Sequence, residues 1–169
     1  MSTPSIFVYS RSAIGALPAP EEPHIVISIS TTTGDPASLG RPVNPPSRLG
    51  LVRLAFYDSD TPAPGRILFD RAMAGRIWDL VEQHRTTAEI IRVHCDAGLS
   101  RSPGVAAALA LVLHGDDREF FARYRPNRLV YRTLLDEAEA RGLIGDLPPG
   151  RGLAGEGGEA PGGDVSGRG

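Results

Sequence analysis

Val93-His94-Cys95-Asp96-Ala97-Gly98-Leu99-Ser100-Arg101-Ser102-Pro103 is the stretch on which the reading of this chain turns. Before it, residues 88–94 (AEIIRVH) form a short apolar run with the character of a strand. After it, small apolar residues predict a helix over 102–114, with Ser102 as N-cap, Pro103 at the first helical position and Gly115 just past the end. A strand ending at Cys95 and a helix opening a few residues later leave the peptide N–H groups of 96–101 free to curl around one point. The positive end of the helix dipole lies beneath that point, which makes a socket for an anion. Gly98 permits the tight curl that a Cβ would obstruct. Arg101 stands where its planar fork can take two oxygens of a tetrahedral oxyanion. A thiol in such a positive field favours its thiolate, a nucleophile aimed at phosphorus.

Outward from this loop, strands alternate with helices. Residues 5–9 (SIFVY), 24–30 (HIVISIS) and 50–57 (GLVRLAFY) read as strands, and 31–48, with four prolines, reads as loop. Phe69, Ala72, Met73, Ile77, Leu80 and Val81 recur at helical spacing. Two further helices are predicted: roughly 117–124, capped by Asp116 or Asp117, and 128–140, capped by Asn127 and stopped near Gly142. Together these predict an α/β fold with a central, mostly parallel sheet of four to five strands flanked by helices. Trp78 and the Phe120-Phe121 pair are expected in the core, and the arginines at 123, 125, 128 and 132 on a solvated face.

The loop resembles the cysteine-dependent phosphatase signature H-C-x5-R followed by Ser or Thr. More narrowly, HCDAGLSRS is similar to the HCxAGxSRS loop of dual-specificity phosphatases and small bacterial tyrosine-phosphatase-like proteins. The likeness spans most of residues 5–140 and is concentrated in the loop. It implies a dual-specificity-phosphatase-like fold and a phosphomonoester hydrolase working through a thiophosphoryl-cysteine intermediate. Cys95 would be the nucleophile, and Arg101 the ligand of the phosphoryl oxygens. Ser102 would ease departure of the thiolate. Asp96, Ala97, Gly98, Leu99 and Ser100 would line the phosphate site. His94 would fix the loop and help hold down the thiol's pKa without touching substrate. The general acid would be an Asp following a strand: Asp58 is favoured and Asp60 is the reserve, 37 and 35 residues before Cys95. Pro126-Asn127-Arg128-Leu129-Val130-Tyr131-Arg132-Thr133-Leu134 resembles the P-N-x-x-φ-x-x-Q-L segment of dual-specificity phosphatases, with Thr133 in place of Gln.

Composition bounds the rest. The 169 residues suit one domain, expected over 1–146, followed by a disordered tail over 147–169, since nine of the 20 glycines lie in the last 20 residues. Every one of the 18 basic residues is Arg; against 20 acids the net charge is −2, without the cationic field of a nucleic-acid binder. No membrane span or secretory signal is read, and the single Cys leaves no disulfide and no Cys-cluster metal site. A cytoplasmic, bacterial protein is expected. It needs no cofactor or metal, and its partner is a phosphorylated protein or small phosphomonoester. An acid at position 96 and no added cation in the loop argue against polyphosphorylated inositols. Two other classes share the residues: a non-catalytic phosphate-binding module on the same fold, and a rhodanese-like sulfur-transfer domain, which the Ser100-Arg101-Ser102 ending fits poorly.

Overall fold

Four short runs rich in β-branched and aromatic residues become the strands of one sheet: β1 (Ser5–Ser10), β2 (His24–Ser30), β3 (Arg48–Ala55) and β4 (Ile90–Cys95). The computed structural model describes residues 2–144. The end of the expected domain at 146 and the expected tail over 147–169 lie outside the described residues. The strand order is β1-β4-β2-β3 and every pairing is parallel, with Val93 of β4 opposite Val8 on one side and Ile27 on the other. The sheet therefore has four strands. Its carboxyl ends, Ser10, Ser30, Ala55 and Cys95, gather along one edge, where open α/β sheets bind ligands.

Period-two alternation gives the sheet two unlike faces. Ile25, Ile27 and Ile29 of β2 and Ile91, Val93 and Cys95 of β4 enter the large core. Against it pack α2 (Arg71–His84), α3 (Arg101–His114) and α5 (Arg128–Ala140). Each fully buried Ile contributes about 1.5–3 kcal/mol of transfer free energy. Trp78 of α2 donates from Nε1 to the Leu134 carbonyl of α5, at 2.9 Å. Arg141 then staples the two helices at their surface, bonding Asp79, Glu82 and Glu137. The opposite face carries Val26, Ser28, Arg92 and His94 under a short helix, α1 (Arg11–Ala16), and the 31–47 loop.

Helix α3 is buried from Arg101 through Leu111, because the sheet covers one side and other helices the rest. Gly104 allows this. A Cβ there would lie 2.9 Å from the Asn127 carbonyl oxygen, so only glycine lets α5 come so close. Gly115, at φ 74, closes the helix as the sequence predicts. Its start does not follow the prediction. The helix opens at Arg101, with Ser100 in the capping position and making no side-chain cap bond. Pro103 is the third helical residue, still within the turn whose N–H groups have no intrahelical acceptor, so it is tolerated there.

Other boundaries also move. The α2 helix begins after Asp70, whose carboxylate accepts from Met73 N, so Phe69 packs from the preceding loop. The α4 helix (Arg118–Arg123) buries Phe120 but leaves Phe121 44% exposed, edge-on to Tyr131; the expected core pair is split. No helix among the described residues is long and apolar enough to cross a membrane.

Candidate active site

Strand β4 carries Cys95 to the carboxyl edge of the sheet, where the chain curls through 96–100 into α3. Gly98 makes the curl: its φ is 70, and a Cβ would stand 2.8 Å from the Ser10 nitrogen and 2.9 Å from the Tyr9 carbonyl carbon. Its N–H donates to Cys95 Sγ at 3.2 Å, and Ser102 Oγ lies 3.0 Å from the same sulfur. Among the described residues, the N–H groups of Ala97, Leu99, Ser100, Arg101 and Ser102 find no protein acceptor. Unpaired peptide dipoles at the mouth of a helix are what an anion-binding nest is built from. Cys95 is 2% exposed at its floor.

Arg101 is buried, and three of its five N–H groups are spoken for. Nη1 donates to the Phe56 carbonyl at 2.9 Å and to Thr31 Oγ1 at 3.1 Å; Nη2 donates to Asp96 Oδ2 at 3.0 Å. One N–H on Nε and one on Nη2 are left, and these two atoms share an edge of the guanidinium. That edge is the geometry of a bidentate oxyanion clamp.

His94 is fully buried beneath the loop, on the polar face of the sheet. Burial pushes its pKa from 6.5 down to about 4, against a smaller opposing effect of the Cys95 carbonyl. The ring is therefore neutral at pH 7. Arg53 Nη1 donates to Ser28 Oγ at 3.1 Å, and Ser28 Oγ lies 2.6 Å from His94 Nε2. With the ring proton on Nδ1, facing the Cys95 carbonyl at 3.4 Å, Nε2 accepts the Ser28 hydroxyl and every group in the chain is satisfied. A neutral His94 offers hydrogen bonds beneath the loop and no charge.

Asp58 lies just past the end of β3. Its Oδ1 accepts from Ser100 Oγ at 2.8 Å and from Asn127 Nδ2 at 2.9 Å, while Oδ2 has no protein partner among the described residues. Asn127 meanwhile uses its own oxygen to cap α5, accepting from Val130 N at 3.0 Å. Asp60 is engaged by Thr61 Oγ1, and among the described residues no hydrogen bond ties its side chain to the cysteine loop. Both aspartates line an open cavity of about 320 Å³ with Ser100, Asn127 and Arg128. Arg128, expected on a solvated face, thus borders this cavity.

All the loop residues singled out in the sequence, together with Asp58, are brought to this edge. Three more were not foreseen. Thr31 sits in the proline-rich stretch that offered no periodicity, yet its hydroxyl joins Arg101 to Asp96. Asn127, read as a cap alone, also holds Asp58. Arg11 stands 3.8 Å from Asp96 and is itself paired with Asp35. Asp96 is hence not a bare charge in the loop. Burial alone raises its carboxyl, but hydrogen bonds from Thr31 and Arg101 outweigh that and leave it below the usual value. The argument against polyphosphorylated substrates from an uncompensated acid loses its footing. Among the described residues, no three His, Cys, Asp or Glu side chains cluster as a metal site requires.

No protein-family model matches the sequence, and no curated protein matches it. Solved structures do resemble the fold. A mouse protein named as a dual specificity phosphatase, complexed with zinc tungstate, aligns with a TM-score of 0.55 at 18% identity, over 86% of this chain and 89% of its own. Human DUSP28 aligns with 0.53 at 22%, over 82% and 91%. A human tyrosine phosphatase-like serine/threonine/tyrosine-interacting protein aligns with 0.51 at 19%, over 82% and 93%. The chain has a dual-specificity-phosphatase-like α/β fold.

Proposed function

We propose that the protein is a cysteine-dependent phosphomonoester hydrolase of the tyrosine or dual-specificity type. One observation carries this reading: Cys95 Sγ sits at the mouth of α3 within hydrogen-bond reach of the Gly98 N–H and Ser102 Oγ, in the loop where the Nε–Nη2 edge of Arg101 is left free. The tungstate held by the mouse protein of the same fold is a tetrahedral oxyanion like phosphate.

In the proposed reaction the Cys95 thiolate attacks phosphorus and the P–O ester bond breaks. The leaving oxygen takes a proton from Asp58 Oδ2, the oxygen that Ser100 and Asn127 leave unbonded. Asp58, now ionised, then removes a proton from water, whose oxygen attacks phosphorus as the P–S bond breaks. The Ser102 hydroxyl, 3.0 Å from the sulfur, stabilises the departing thiolate, and inorganic phosphate is released. The contact between Asp58 and the loop favours it as the acid over Asp60. The substrate is a phosphorylated protein or a small phosphomonoester.

Hydrolysis of aryl phosphates by wild type, Cys95→Ser and Asp58→Asn tests this. Cys95→Ser is expected to lose about 10³-fold or more. Asp58→Asn is expected to lose about 10²-fold on poor leaving groups and little on activated ones. Equal losses on both would remove Asp58 from the acid role. A wild type no faster than Cys95→Ser, with both still binding phosphate, would make the protein a phosphate-binding module instead.

A further inference from the structure

A carboxylate next to the nucleophile is electrostatically misplaced in a loop meant for a dianion, since like charges a few ångströms apart repel strongly wherever water is scarce. Asp96 holds that position, and its surroundings show what it does. Its Oδ2 accepts from Arg101 Nη2 at 3.0 Å and from Thr31 Oγ1 at 2.9 Å. Thr31 Oγ1 also accepts from Arg101 Nη1, so hydroxyl and carboxylate together close a ring on the guanidinium. The Phe56 carbonyl fixes the same nitrogen from the end of β3. On its far side Asp96 faces Arg11 Nη1 at 3.8 Å, and the Arg11 main-chain N–H donates to the Asp96 carbonyl at 3.1 Å. Arg11 is fastened in turn by Asp35, through side chain and carbonyl.

We propose that Asp96 is a positioning residue. With Thr31 it locks the Arg101 guanidinium so that the Nε–Nη2 edge is presented to the phosphoryl oxygens, and Arg11 cancels the charge that this arrangement brings into the loop. The proposal rests on the hydrolase reading. The lock favours the transition state over the ground state. A pre-aimed planar fork gains most when the equatorial oxygens reach their trigonal arrangement, while residual negative charge slightly disfavours the resting dianion.

The test separates these two contributions. For Asp96→Ala, kcat is expected to fall about tenfold while KM stays level or drops. Vanadate, which adopts the trigonal-bipyramidal geometry on a thiolate, should bind about tenfold more weakly, and inorganic phosphate as tightly as before or tighter. Asp96→Asn keeps an acceptor oxygen for Arg101 and should recover most of kcat. Arg11→Ala leaves the lock but removes the counter-charge, so KM should rise several-fold with kcat within twofold. An Asp96→Ala protein that melts like wild type and keeps or raises kcat overturns the positioning role and leaves the hydrolase reading intact. A wild type that neither hydrolyses aryl phosphates nor binds phosphate or vanadate overturns the hydrolase reading, and this proposal with it.

Discussion

The two faces of the β-sheet use the same strands for opposite purposes. Along β4, Ile91 and Val93 point into the large apolar core, while the residues between and after them, Arg92 and His94, point to the other side. Along β2 the same switch separates Ile25, Ile27 and Ile29 from Ser28. On the first face three helices supply bulk burial. On the second, a six-residue helix and a loop cover a small cluster of Ile14, Val26 and Leu39, surrounded by buried polar groups. Arg92 lies there over the Tyr9 ring, 4.6 Å from its centroid, with Nε unpartnered among the described residues. Burial without directionality stabilises a fold, whereas hydrogen bonds with fixed angles hold a loop. The apolar face therefore carries stability and the polar face carries alignment of the cysteine loop.

A substitution on the apolar side of β4 is the sharpest way to break this division. Ile91→Ala should lower the unfolding free energy by about 3–4 kcal/mol in urea titrations and leave kcat of the folded fraction unchanged. A matching loss of kcat would mean that the two faces are not separable.

The next effect belongs to the polar face and to pH. Below pH 6.5 the unfolded chain's His94 takes a proton that the folded ring refuses until about pH 4. Stability contributed by the neutral ring is thus complete above pH 6.5. Roughly 3 kcal/mol of it is lost as pH falls to about 4. His24, also buried and also shifted down, adds to the slope in the same direction, so the comparison must be made with His94→Asn in parallel. The substituted protein should show a visibly flatter profile between those limits. Identical profiles would mean that the imidazole is not the group refusing the proton.

The smallest expected effect is that of Ser28→Ala. It removes the hydroxyl between Arg53 and His94 and leaves Nε2 without a donor, for about 1 kcal/mol. Its mark should be on turnover, a several-fold drop in kcat, rather than on the melting temperature. A change in stability alone would reduce this chain of hydrogen bonds to ordinary core satisfaction.

The apolar face was the legible one in the sequence. Alternating isoleucines gave β2 its full span, and Asn127 and Gly142 framed α5, because burial repeats with the period of the element. The cysteine loop was legible because its residues sit close together in the chain. The polar face was hidden for two reasons. Helix α1 is only six residues long and its apolar contribution is essentially Ile14, too short for any periodicity to register. Thr31, Ser28 and Arg53 act across 25 to 70 residues of separation and Arg11 meets Asp96 from 85 residues away, and no local pattern marks a hydroxyl or guanidinium for a partner so distant. Ser102 misled for a different reason: a Ser-Pro pair is what a helix start usually looks like, and the loop draws the helix open two residues earlier.

The amide of Asn127 has a temporal consequence. Its oxygen caps α5 and its nitrogen tethers Asp58, so one side chain ties the setting of that carboxylate to the docking of α5. A nascent chain that had emerged only as far as α4 would hold Asp58 by Ser100 alone, with one of the two bonds on Oδ1 still to be made. The carboxylate takes both of its bonds only once α5 has docked.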